Sequence, residues 1–331
     1  MQALRDLAKA VHRGERRALA RAITLVESSR PDHRAGALEL LEHLRDLKPK
    51  EALRIGLSGT PGVGKSTFTE AFGMHLISLG LKVAVLAVDP SSTRSGGSIL
   101  GDKTRMERLA REKQAFIRPS PSQTNLGGVA RRTREAIMLC EAAGYDVVLI
   151  ETVGVGQSET MVAQMSDIFL LLLAPAGGDE LQGVKRGIME IADIILVNKA
   201  DGDLKATATR TCADYAGALR LLRKRSRDPE GYPLAQTVSA TEGDGIAQAW
   251  DAIQTLAQKR RDKGVWDRNR KAQNLHWFEA ELREGVLRQL SEDPAVKAAI
   301  SGLEDAVTSG QITPSAAAAQ VLSHLHGDND A

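Results

Sequence analysis

A chain of 331 residues exceeds one average domain, and its 44 basic and 42 acidic side chains leave a net charge of only +2, which gives no electrostatic footprint for nucleic acid or a membrane surface. The densest apolar run, 170–174, is strand-sized, so no membrane span is expected. Hydrophobic residues make up 42% of the chain and aromatics 3%, so a sizeable core must be aliphatic. The two cysteines, Cys140 and Cys212, lie far apart in predicted helices; they read as buried thiols of a reducing, cytoplasmic compartment rather than as a disulfide or metal site.

Residues 1–48 read as helices. Leu4, Leu7, Ala8 and Val11 recur at helical spacing, as do Ala18, Leu19, Ala22, Ile23 and Val26, then Ala37, Leu38, Leu41 and Leu44. Pro31 separates the second helix from the third. Asp6 and Glu15 sit among the arginines and no apolar signal core is present, so this region belongs to the mature fold. It forms a helical collar, joined by Lys48-Pro49-Lys50 to a central domain spanning 49–261.

Within that domain strands are predicted at 53–58, 82–88, 115–118, 146–151, 168–174, 194–198 and 236–239, with helices between them. Several are continuous Val/Ile/Leu runs, as parallel strands covered on both faces require. The class is α/β: a doubly wound, mainly parallel sheet with helical extensions. After the charged run Lys259-Arg260-Arg261-Asp262-Lys263, residues 262–331 are helical, with helices expected at 274–290, 294–309 and 314–326. These read either as a docking or self-association element or as a packing extension.

The first strand runs into Gly59-Thr60-Pro61-Gly62-Val63-Gly64-Lys65-Ser66-Thr67, a phosphate loop of the pattern G-x-x-x-x-G-K-[ST]. Glycines let the backbone bend closely around phosphates, and the following helix contributes free amides and the positive end of its dipole. Lys65 can place a charge between the β and γ phosphates, and the Ser66 hydroxyl can ligate Mg²⁺. Asp89 ends the next strand, where it can hold the metal or cap a turn. The polar loop after it suits a γ-phosphate switch. There Asp102 is either a second metal-side carboxylate or a helix N-cap, and Arg94 is either an arginine finger or a solvated residue.

The strand 146–151 ends in Glu151, followed by Gly154. Glu151 can reach Mg²⁺ or a metal-bound water, and the Gly154 amide can bind the γ-phosphate. Gln157 is a weak candidate for positioning water; a turn or partner contact suits it better. The sixth strand enters Asn198-Lys199-Ala200-Asp201, an N-K-x-D pattern. A carboxylate at Asp201 can accept from both N1–H and the 2-amino group of guanine, whereas adenine would leave it unpaired. The Lys199 stem can lie along the ring, and Ser239-Ala240-Thr241 resembles the loop whose amide meets guanine O6. GTP/GDP is therefore the expected nucleotide, with Mg²⁺.

The phosphate loop, V-D-P-S-S-T-R-S-G-G-S-I-L-G-D-K-T-R-M (88–106), R-P-S-P-S (118–122), E-T-V-G-V-G-Q-S-E (151–159), G-D-E-L-Q-G-V-K (178–185) and N-K-A-D together resemble the MeaB/ArgK family, which includes the methylmalonic aciduria type A protein. The resemblance implies a homodimeric GTPase that serves as a chaperone of adenosylcobalamin-dependent acyl-CoA mutases, chiefly methylmalonyl-CoA mutase, gating cofactor loading and protecting or reactivating the enzyme. It implies that 59–67 hold phosphates and Mg²⁺, and that Asp89, Asp102 and Glu151 are the metal and switch carboxylates. Asn198, Lys199 and Asp201 with Ser239, Ala240 and Thr241 would hold guanine. It makes 174–185, a strand–helix loop by spacing alone, a third switch in which Lys185 pairs with Asp179 or reaches the active site. The helices of 262–331 would be the dimerisation arm. Hydrolysis without the mutase should be slow. Two rivals are an ATP-dependent kinase or ATPase linked to amino-acid transport, which Asp201 disfavours, and a nickel-insertion GTPase. The seven histidines do not cluster as nickel chemistry requires: only His324 and His326 are close, at a poor i, i+2 spacing.

Overall fold

The computed structural model describes residues 2–88, 106–119, 126–152, 158–175, 186–221, 225 and 227–323. Seven strands form one parallel sheet: β1 (Leu53–Gly59), β2 (Val83–Val88), β3 (Ala115–Arg118), β4 (Val147–Thr152), β5 (Ile168–Leu173), β6 (Ile194–Val197) and β7 (Leu234–Thr237). Their order is β3-β2-β4-β1-β5-β6-β7, so β1 lies centrally between β4 and β5. The strands are apolar on both sides because helices cover both faces, and β1, β4, β5 and β6 are buried along their whole length.

The helices in chain order are α1 (Gln2–His12), α2 (Arg16–Glu27), α3 (Pro31–Asp46), α4 (Lys65–Ser78), α5 (Glu107–Arg111), α6 (Leu126–Ala142), α7 (Ser158–Met165), α8 (Arg186–Ile191), α9 (Lys205–Leu221), α10 (Ile246–Asp262), α11 (Val265–Glu292), α12 (Pro294–Thr308) and α13 (Pro314–Ser323). Pro31 occupies the first turn of α3, where its missing N–H is no loss. The collar helices pack against α6. Ion pairs Arg118–Glu27 and Arg34–Glu135 tie them to β3 and α6. Phe68 stacks on Phe72 at 5.4 Å between ring centres, and Phe72 meets Trp250 edge-on at 6.0 Å. This couples α4 to α10 beneath the phosphate loop.

The amino-terminal edge of the sheet is tied by carboxylates. Asp146, Asp167 and Asp193 each stand one residue before a strand and accept a backbone N–H at the neighbouring strand. Asp146 accepts from Lys82 at 2.9 Å, Asp167 from Arg54 at 2.8 Å, and Asp193 from Phe169 at 2.9 Å. Arginines from far along the chain neutralise the inner two. Arg270 chelates Asp167 with two bonds of 2.6 Å, and Arg260 reaches Asp193 at 2.6 and 3.1 Å. Arg54 and Arg270 also share Glu141.

These contacts explain where the first compact unit ends. It spans Met1–Gln273, twelve residues past the compositional break after 261, because Trp266 and Arg270 are buried in it. Accordingly α11 starts at Val265, ahead of the expected 274. The second unit, Asn274–Ala331, contains the rest of α11, α12 and α13. Asp293 caps α12 by accepting from the amides of Ala295 and Val296 at 2.7 and 3.3 Å. An apolar groove of about 280 Å³ between α12 and α13 is lined by Ile300, Leu303, Val307, Ala317 and Val321. Among the described residues no helix is long and apolar enough to cross a membrane.

Candidate nucleotide site

Because the strands are parallel, the carboxyl ends of β1, β4, β6 and β7 open onto one edge, where open α/β sheets bind ligands. β1 ends at Gly59, whose Cβ position would collide with the Leu172 carbonyl of β5. The loop turns through Gly64, at φ 88°, directly into α4. A Cβ on Gly64 would also meet the Asn198 side chain at 2.8 Å. Gly59 is thus demanded by close approach to a backbone carbonyl, and Gly64 by its left-handed φ.

Lys65 curls back over this loop, donating to the Gly59 carbonyl at 2.6 Å and to that of Thr60 at 3.4 Å. Burial lowers its pKa, and the nearby carboxylates of Glu151 and Glu159 oppose the shift. Ser66 is half-buried and Thr67 exposed in the first turn of α4. Glu151 is buried near the end of β4, where its Oε2 accepts from the Thr69 hydroxyl at 3.0 Å. Glu159, also buried, opens α7.

On the base side Asn198 is buried and acts as a bracket. Its Nδ2 donates to the Val63 carbonyl at 2.9 Å and its Oδ1 accepts from the Ala240 amide at 3.1 Å. The Ala240 N–H, one of the amides expected to face guanine O6, is therefore committed to Asn198. Lys199 takes a left-handed φ of 57° and leaves its side chain exposed. Asp201 accepts from the Ser239 hydroxyl, which itself accepts from the Glu242 amide at 3.0 Å. Thr241 is exposed beside them.

The structure thus brings 59–67, Glu151, Asn198, Asp201 and Ser239 to one edge. Asp89, Asp102, Gly154 and Lys185, together with Arg94, Gln157 and Asp179, lie outside the described residues. Thr69 and Glu159 carry no role in the motif reading. Glu159 was detectable as the acid closing the 151–159 motif, whereas nothing in the sequence marks Thr69.

The profile of the family described as "Methylmalonyl Co-A mutase-associated GTPase MeaB" matches residues 19–295. The chain belongs to this family. Among MeaB relatives, Escherichia coli "GTPase ArgK" is 50% identical over 287 residues, 87% of this chain and 86% of that one. The mouse "Methylmalonic aciduria type A homolog, mitochondrial" is 48% identical over 319 residues, 94% of this chain and 76% of that one. A solved structure described as "LAO/AO transport system kinase" superimposes with a TM-score of 0.75 at 39% identity, covering 99% of both chains. The MeaB assignment agrees with the family resemblance carried by the motifs, and the fold is the expected doubly wound P-loop architecture.

Proposed function

We propose that the chain binds GTP with Mg²⁺ and hydrolyses it by in-line attack of water on the γ-phosphate. In this reading nucleotide state gates adenosylcobalamin loading and the protection or reactivation of methylmalonyl-CoA mutase or a related acyl-CoA mutase. The observation that carries the nucleotide part is the bracket at Asn198: one side chain ties the loop suited to phosphates to the loop suited to guanine. Asp201, oriented by Ser239, accepts from N1–H and the 2-amino group of guanine, a pattern that adenine lacks. Lys65 and the loop amides stabilise charge developing on the phosphates.

The residues present fit a hard cation. Ser66 and Glu151 offer oxygen donors on α4 and on β4, which pairs with β1. Mg²⁺ at such a site is held mainly by phosphates and water, with one or two carboxylates. Ser66, Glu151 and Asp89 would hold it, and bound Mg²⁺ would neutralise charge on the β and γ phosphates.

The name of the matched family and those of the methylmalonic aciduria relatives support the mutase as partner. A homodimer is supported by Leu275, Phe278, Leu282 and Val286, exposed apolar residues three or four apart on α11. Both cysteines are unpaired, in keeping with a cytoplasmic setting. Competition titration should favour GTP and GDP over ATP, and adding mutase should raise a slow basal turnover. Equal ATP affinity would refute the guanine reading, and rapid turnover indifferent to the mutase would refute the gating.

A further inference from the structure

We infer that Thr69 is a positioning residue that sets the Glu151 carboxylate against the metal side of the phosphate loop. Helical threonines usually return their hydroxyl to the carbonyl one turn back. In this chain Thr24, Thr133 and Thr209 do so, donating to Ala20, Val129 and Lys205 at 2.8 to 3.0 Å. Thr69, fully buried in α4, donates instead to Glu151 Oε2 at 3.0 Å, out of its own helix and across to β4.

The spacing gives that bond a purpose. Thr69 stands three residues after Ser66, so the two hydroxyls neighbour each other on one helix face. The Cα–Cβ bonds of a helix tilt toward its N-terminus, here toward the phosphate loop. A carboxylate has about four acceptor positions, and giving one to Thr69 fixes its plane. The two oxygen donors assigned to the cation, Ser66 and Glu151, are thereby referenced to the same rigid turn of α4. Phe68 and Phe72 anchor this turn from below. The inference rests on the proposed metal-side role of Glu151, and the test separates the two.

The experiment follows a fluorescent GDP analogue bound to the full chain, first in EDTA and then across a Mg²⁺ titration. Thr69→Val should leave metal-free nucleotide affinity unchanged and raise the half-saturating Mg²⁺ concentration about tenfold, the scale on which residues that orient metal ligands act. Thr69→Ser, which keeps the hydroxyl, should restore the wild-type midpoint, and Glu151→Gln should shift it at least as far as Thr69→Val. An unmoved midpoint in Thr69→Val beside a shifted one in Glu151→Gln overturns the role of Thr69 alone. An unmoved midpoint in Glu151→Gln overturns the assignment of Glu151 itself. Loss of metal-free affinity in Thr69→Val marks the hydroxyl as structural packing and also overturns the inference. If Thr69→Val does not fold, Thr69→Ala answers the same titration.

Discussion

Asn198 donates from its side-chain amide to the Val63 carbonyl at 2.9 Å, joining two loops that are 135 residues apart in sequence. Asn198→Ala would leave that carbonyl and the Ala240 amide without their buried partner. Losing such a partner costs about 1–3 kcal/mol, so nucleotide affinity should fall about fivefold to about 150-fold. Calorimetry should find GDP and GTP weakened alike, because the bracket shapes the loop rather than touching the γ-phosphate. A selective loss of GTP would contradict this account.

The Ser239 hydroxyl donates to Asp201, the carboxylate proposed to receive the base. Ser239→Ala removes one hydrogen bond to a carboxylate and should weaken GDP binding by about 1.5–3 kcal/mol. Asp201→Asn should go further and exchange guanine for xanthine preference, since an amide can donate where the carboxylate only accepted. Competition between the two diphosphates reads both effects.

Arg270 serves the opposite edge. Arg270→Ala leaves Asp167 and Glu141 buried with less counter-charge, which costs about 3–5 kcal/mol when one partner of a buried pair is removed. The denaturant midpoint should drop sharply while the folded protein keeps its GDP affinity. A large affinity loss at full folding would show that the two edges are coupled.

Acid should loosen the same edge. Burial pushes the Asp193 carboxyl up, but Arg260, Arg225 and Arg227 more than offset this and hold it below the usual range. Burial likewise raises Asp146, and the Lys82 amide with Lys50 brings it below that range. At these two sites the native state therefore binds fewer protons than the unfolded chain, whereas Asp167, raised by its burial, works in the opposite sense. The stabilisation is complete above about pH 4, the ordinary aspartate value, and is lost as pH falls through the native values. Tm measured from pH 6 to 3 should fall at the acid end, and Asp146→Asn should flatten that fall.

The sheet was legible because doubly covered strands must be apolar runs. Six of the strands lie within about one residue of their sequence positions by that logic. The seventh, Leu234–Thr237, sits two residues earlier than 236–239. Val238 still donates to Val197 of β6 at 2.8 Å, but Ser239, which looks like strand, turns the loop by donating its amide to the Asp244 carbonyl at 2.8 Å. The phosphate and guanine motifs were legible because ligand chemistry dictates residue type at fixed spacing. Thr69 was not, since a buried threonine in a helix normally bonds only its own backbone. Nor were Trp266 and Arg270, whose surroundings in sequence are polar and charged, while the acids that hold Arg270 lie more than a hundred residues upstream.

The aspartates before β4, β5 and β6 have a consequence for how the sheet assembles. Val147-Val148-Leu149-Ile150, Ile168-Phe169-Leu170-Leu171 and Ile194-Ile195-Leu196-Val197 are nearly uniform, so sliding any of them one step would still bury oil against oil. Greasiness alone cannot choose among such alignments. A slipped strand would strand its leading aspartate away from the one amide it fits, so the three carboxylates proofread the pairing that the apolar stretches leave ambiguous.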